Sequence, residues 1–275
     1  MRSLRGFLAL AVLVTGCSGG SDTGSTSPAP EAAPAVAAPL THEVVARHPH
    51  DTGAFTQGFV FTDEATLAES AGGYGTSEVR LVDPETGTVR RRAAVPADRF
   101  AEGLAFRTED GELVQLTWRE GVAMRWSVDD LSPTGETTYE GEGWGLTEDP
   151  DTGALLSTDG SALLSRRDPS TFEVTSAVTV RRAGEPVESL NEIEWVDGAV
   201  WANVWQTSEI LRIDPATGDV TGVLDLSSLV PATGDPEAVL NGIAHRPGDP
   251  PNRLWVTGKR WPEVFVIDVG GAGTS

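Results

Sequence analysis

The chain has 275 residues, 39% of them hydrophobic and 22% charged, which suits a soluble globular protein with room for one large all-β domain or two small ones. A net charge of -21 repels a phosphate backbone and argues against a nucleic-acid partner. Cys17 is the only cysteine, so no disulfide forms within the chain and stability must come from packing.

The first residues read as an export signal. Arg2 and Arg5 supply a positive start, and Phe7 to Val14 is an apolar run too short to span a membrane. Val14-Thr15-Gly16-Cys17 resembles a bacterial lipobox, which predicts a lipoprotein signal peptide over 1–16 and a lipidated Cys17. A plain signal peptide with an incidental cysteine is the alternative. Residues 17–40 are rich in Ser, Gly, Thr, Ala and Pro, bury too little to order themselves, and predict a flexible tether. The folded domain is then 41–275, held outside the cytoplasm by a lipid anchor in a bacterial membrane and facing the periplasm or the cell exterior.

From Phe55 onward the chain repeats. A first marker recurs at Phe55-Thr56-Gln57-Gly58, Phe100-Ala101-Glu102-Gly103, Gly143-Trp144-Gly145, Leu190-Asn191-Glu192-Ile193 and Leu240-Asn241-Gly242-Ile243, at intervals of 42 to 50 residues. A second marker follows each by 23 to 27 residues, at Asp83, Asp129, Asp168, Asp214 and Asp268. Asp83 to Gly87 and Asp214 to Gly218 read Asp-Pro-x-Thr-Gly, a tight turn in which Pro fixes φ and Gly accepts a positive φ. Between markers lie short apolar or alternating runs such as Gly58–Phe61, Val79–Val82, Leu113–Leu116, Ala199–Val204 and Leu254–Val256, with no helical period. Five such units predict an all-β, five-bladed β-propeller. The segment 42–47 has a strand pattern and is expected to close the ring as the outer strand of the last blade. An open β-sandwich is the alternative.

In a propeller the first strand of each blade lines the central channel, so the first markers bring Gln57, Glu102, Trp144, Asn191 and Asn241 toward one axis. Such a polar ring serves chemistry, or it holds structural water or one metal ion. Eight tryptophans sharpen the choice: several at a channel mouth make a pocket for a small ligand, whereas Trp195, Trp201 and Trp255 are expected to pack between blades. The four histidines lack metal-ligand spacing, and His48-Pro49-His50 reads as an exposed loop. There is no nucleophile elbow and no P-loop. Glu148-Asp149-Pro150-Asp151 reads as a solvated turn rather than a calcium loop.

Taken in order, the first markers together with Glu69-Ser70, Gln115-Leu116-Thr117-Trp118, Glu140-Gly141-Glu142-Gly143-Trp144-Gly145-Leu146, Trp201-Ala202-Asn203-Val204-Trp205 and Val256-Thr257-Gly258-Lys259 resemble the glutaminyl cyclases of the plant and bacterial type. The resemblance covers Phe55 to about Asp268. It implies a five-bladed propeller that closes the N-terminal glutamine of peptides or proteins into pyroglutamate and releases ammonia. It also implies that no metal or cofactor is needed for catalysis, although a structural metal ion can sit in the channel. The family's essential glutamate matches Glu102. Its substrate-binding aromatics match Phe55, Phe100, Trp118, Trp144 and Trp205, and its polar partners match Gln57, Asn191 and Lys259, with Glu192 the competing neighbour of Asn191. The protein is expected to act as a monomer. A surface-anchored binding module without activity, and a lactonase-like propeller with a channel metal, are the rival readings.

Overall fold

The computed structural model describes residues 37–271. The signal segment, Cys17 and the tether up to residue 36 lie outside the described residues. Strand β1 (Ala38–Pro49) comes first. A first antiparallel sheet follows: β2 (Thr56–Asp63), β3 (Thr66–Ala71), β4 (Glu78–Val82) and β5 (Val89–Ala94), in that order. The second sheet is β6 (Ala101–Arg107), β7 (Glu112–Thr117), β8 (Val122–Ser127) and β9 (Pro133–Thr138). The third is β10 (Leu146–Glu148), β11 (Leu155–Ser157), β12 (Leu163–Arg167) and β13 (Val174–Thr179). A small hairpin, β14 (Arg181–Arg182) and β15 (Glu185–Pro186), precedes a fourth run of β16 (Leu190–Val196), β17 (Ala199–Val204), β18 (Glu209–Ile213) and β19 (Val220–Asp225). The last run is β20 (Leu240–Ala244), β21 (Arg253–Gly258) and β22 (Glu263–Gly270). One turn of 3-10 helix at Ser227–Leu229 is the only helix among the described residues, so none is long or apolar enough to cross a membrane.

The pairing of 42–47 with the last strand is found. β1 runs antiparallel to β22 from Thr41↔Gly270 to Pro49↔Glu263. It starts earlier than the boundary at 41, because Ala38–Leu40 also pair in parallel with Gly222–Leu224 of β19. That pairing gives three residues of apparent tether backbone partners, and it joins the fourth and fifth runs into one eight-stranded sheet.

The sheets bury one another pairwise. Val60, Val79 and Leu81 of the first sheet share a cluster with Leu104, Leu113 and Trp126 of the second. Further clusters join the second sheet to the third, the third to the fourth run, and the fourth to the fifth. The fifth run returns to the first sheet through Trp255, Val264 and Val266 against Phe59, Phe61 and Leu67. Trp195, Trp201 and Trp255 belong to these clusters, as expected. The first strands touch in the same cycle: β2 with β6, β6 with β10, β10 with β16, β16 with β20, and β20 with β2.

The Asp-Pro-x-Thr-Gly turns form as read. Gly87, Gly153 and Gly218 take φ of +68, +69 and +81 and donate to the carbonyls of Asp83, Asp149 and Asp214. The same turn at Asp149 to Gly153 is solvated as expected at Pro150, Asp151 and Thr152, but Asp149 itself is not. Asp149 is buried because its carboxylate accepts from Arg166 at 2.6 Å and from the Thr152 hydroxyl at 2.8 Å.

His50 is also no exposed loop residue. Its side chain is 4% exposed, with Nε2 3.1 Å from Glu69 and Nδ1 2.7 Å from the Trp261 carbonyl. Glu69 further accepts two bonds from Arg80, at 3.0 and 2.8 Å, and one from Thr56 at 2.7 Å. Burial works against the Glu69 carboxylate, but His50 and Arg80 outweigh it and hold its pKa at about 2. Removing one partner of such a pair strands a buried charge, here that of Arg80. Glu69→Gln is therefore expected to lower the unfolding free energy at pH 7 by about 3 kcal/mol. A folded pKa below the ordinary 4.5 gives stability that is present above 4.5 and lost as pH falls toward 2, so the deficit should shrink over that range. Urea denaturation at pH 7 and at pH 3 checks this; an equal deficit at both would refute the charge argument.

Candidate active site

Four first strands share one irregularity. Register shifts interrupt β2 between Thr56 and Gly58, β6 between Ala101 and Leu104, β16 between Leu190 and Ile193, and β20 between Leu240 and Ile243. Each shift falls on the first marker, and an extra residue in a strand re-aims side chains. The glycine of the marker has its own cause. A Cβ on Gly58 would lie 2.5 Å from the backbone nitrogen of Leu104, and one on Gly103 2.6 Å from that of Leu146. Neighbouring first strands can pack this closely only where the side chain is absent.

All nine residues expected at the site line one pocket of about 460 Å³: Phe55, Gln57, Phe100, Glu102, Trp118, Trp144, Asn191, Trp205 and Lys259. Asn191 lines it and Glu192 does not; Glu192 turns away to accept the backbone N–H of Ile243 at 2.8 Å. One expectation is corrected: Trp144 does not stand on a first strand, because β10 is only three residues long and begins two residues later. Asn241 stands on first strand β20 and meets Gln57, fully buried and outside the pocket lining.

A short chain of amides fixes the carboxylate. Asn241 Nδ2 donates to the Thr56 carbonyl at 2.9 Å and to Gln57 Oε1 at 3.1 Å. With its oxygen so occupied, Gln57 presents Nε2 to Glu102 Oε1 at 2.9 Å. Glu102 Oε2 receives no hydrogen bond from the described residues and is left for a ligand. Burial pushes the Glu102 carboxyl well above its ordinary value; Lys259 opposes the rise, and Glu142 and Glu120 add to it.

Lys259 follows the end of β21 on a tightly held turn. Its backbone N–H donates to Val239 at 2.9 Å, and that of Arg260 donates to Ala54 at 2.6 Å. The Lys259 ammonium lies 4.6 Å from the Phe55 ring centroid. Burial lowers its pKa to about 8, against the pull of Glu102. Lys259 can therefore exist in either protonation state near neutral pH.

Aromatic rings form the rest of the wall. Phe55 meets Phe100 edge-on at 6.1 Å, Phe100 meets Trp118 at 5.8 Å, and Trp144 meets Trp205 at 5.6 Å. Trp205 is 39% exposed and sits at the rim. The sequence reading missed Thr76, Gln206, Glu237 and Arg260, which come to the pocket from loops. Gln206 and Arg260 take φ of +63 and +59, a strained backbone of the kind that gathers at functional sites. The one signal for Gln206 and Arg260 was adjacency, since they follow Trp205 and Lys259; Thr76 and Glu237 had none.

Among the described residues, no group of three or more His, Cys, Asp or Glu side chains is placed to hold a metal ion. Asn191 Oδ1, Glu192 Oε1 and Asn241 Oδ1 are buried without a protein partner. Neutral and acidic oxygens of this kind suit an ordered water or a hard cation.

Known proteins resemble this chain. A family model described as glutamine cyclotransferase matches residues 13–269. A glutaminyl-peptide cyclotransferase of Arabidopsis thaliana is 40% identical over 230 residues, 82% of this chain and 70% of that protein. The crystal structure of Myxococcus xanthus glutaminyl cyclase superposes with a TM-score of 0.78 at 38% identity, over 86% of this chain and all of that one.

Proposed function

The chain belongs to the glutamine cyclotransferase family and is a glutaminyl-peptide cyclotransferase, and on that premise we propose that Glu102 carries the proton of the reaction. The substrate is a peptide or protein with an N-terminal glutamine. Its α-amine attacks its own side-chain amide carbon, the C–N bond to the amide nitrogen breaks, and ammonia leaves a five-membered lactam. Nucleophile and electrophile share one residue, so a wall that folds the side chain over the amine captures much of the gain from proximity. The rings of Trp118, Trp144 and Trp205 and the two phenylalanines suit that task.

An α-amine has a pKa of about 7.7–8.0, so a useful fraction attacks in neutral form. It must still lose a proton, and the amide nitrogen must gain one before it leaves. Glu102 Oε2 takes the first and returns it as the second. The observation that carries this reading is the division of labour on Glu102: one oxygen held by Gln57, the other facing the aromatic pocket beside Lys259. Burial raises the carboxyl toward the range in which it can donate as well as accept. The oxyanion falls to Lys259 and Asn191, since Gln57 is engaged with the carboxylate.

The five four-stranded units are read as blades of one propeller, with β1 completing the last blade. The closed cycle of first strands and the five shared clusters support this. Should a structural cation bind, Asn191, Glu192 and Asn241 would hold it through their free oxygens, where it would add stability rather than chemistry. The lipobox-like Cys17 supports anchoring of the domain on the outer face of a bacterial membrane.

A Gln-initiated dipeptide incubated with the full chain tests the function. Ammonia release that survives a chelator is the expected result. No release would sink the reading, and complete sensitivity to the chelator would sink metal-independent catalysis.

A further inference from the structure

The aromatic wall of the pocket has a gap. Phe55, Phe100 and Trp118 form one run of ring contacts and Trp144 with Trp205 forms another, and no ring pairing joins Trp118 to Trp144. Glu142 spans that gap. Its Oε2 accepts the indole N–H of Trp118 at 2.9 Å and the indole N–H of Trp144 at 3.1 Å. We propose that Glu142 is a positioning residue for the cyclisation: one carboxylate oxygen that locks both halves of the aromatic wall at the angle the substrate needs.

The surroundings are built for this role. Arg119 Nε donates to the other oxygen, Oε1, at 2.9 Å, while its guanidinium lies 3.7 Å above the Trp118 ring. Arg119 therefore holds the carboxylate and covers the outer face of the indole at once. The loop that bears Glu142 is tied to the same strand end, with Gly143 N–H donating to the Trp118 carbonyl at 2.9 Å. Gly143 has no room for a side chain, since a Cβ there would lie 2.2 Å from the Tyr139 hydroxyl. Glu142 itself does not line the pocket, so it acts through the indoles. An indole N–H has only a donor to offer, and without an acceptor each ring is free to turn about its side-chain torsions. A cage of freely turning rings loses the benefit of holding the glutamine folded.

The inference rests on the cyclase reading, and its test separates the two. Glu142→Ala and Glu142→Gln are compared with the wild type by dipeptide kinetics and by NMR of the 15N-labelled indoles. Glu142 is over a third exposed on its loop, so both variants should fold. For Glu142→Ala, the indole resonances of Trp118 and Trp144 should move and exchange faster, and KM should rise about tenfold with kcat changed far less. Glu142→Gln should restore both readouts, because an amide oxygen also accepts two N–H groups and the exposed Arg119 can turn away. Two unmoved indole resonances in Glu142→Ala would overturn the proposal. So would a Gln variant as impaired as the Ala variant, since charge rather than orientation would then be the cause. If the wild type released no ammonia, the cyclase reading would fail, while the indole resonances would still judge the clamp.

Discussion

Glu102→Gln is expected to cut kcat by about 10³, within the usual range for removing a positioned acid–base group, and to leave KM nearly unchanged. The amide keeps the shape of the carboxyl, and its oxygen can still accept from Gln57 Nε2. What it loses is the capacity to take the amine proton and return it to the departing nitrogen. Folding should not suffer. The Glu102 pKa is raised in the folded state, so ionising the carboxyl costs stability as pH climbs past its unfolded value, and a neutral amide removes that cost. The variant should therefore melt at the same temperature as the wild type or higher at pH 8. Ammonia release and thermal melts on one preparation check both halves. Turnover within tenfold of the wild type would take Glu102 out of the proton path.

The sequence could reveal this site because the repeat and the bulge coincide. A glycine follows the marker residue in four of the five units, Glu192 standing in the fourth, and at Gly58 and Gly103 it allows the close approach of first strands; in four first strands a register shift turns the residue beside it inward. Gln57, Glu102 and Asn191 could thus be read together before any coordinates. The fit was worst where the repeat decays. Asn241 obeys the same pattern, yet it ends one layer below the pocket because Gln57 and the Thr56 carbonyl claim its amide. Trp144 arrives from a loop, since the third sheet's first strand is too short to carry it.

Other features were hidden because their causes lie far along the chain. Nothing local to His48-Pro49-His50 announces that Trp261 and Glu69 will enclose His50. The burial of Asp149 depends on Arg166, one strand pair away. Ala38–Leu40 look like tether by composition and gain strand structure only from the backbone of β19. Glu142 stood inside a motif already singled out. Its partners, Trp118 and Trp144, were assigned to substrate before their own N–H groups had been given an acceptor.

Lys259→Met should lower kcat by about 10²–10³ and remove the alkaline fall of the pH profile. Two needs oppose each other at one pH. The substrate amine must be neutral to attack, which favours higher pH. The developing oxyanion needs a cationic donor, and burial lowers Lys259 to a pKa of about 8, so that donor is lost as pH rises through that value. The wild-type rate is therefore expected to climb toward pH 8 and to decline above it. Methionine keeps the length and apolar contacts of the lysine stem beside Phe55 but can neither donate nor titrate. Its profile should rise with deprotonation of the amine and then stay level. A dipeptide assay at saturating substrate from pH 6 to pH 10 measures both limbs. A variant that keeps the alkaline decline would assign that limb to another group, and the oxyanion would then rest on Asn191.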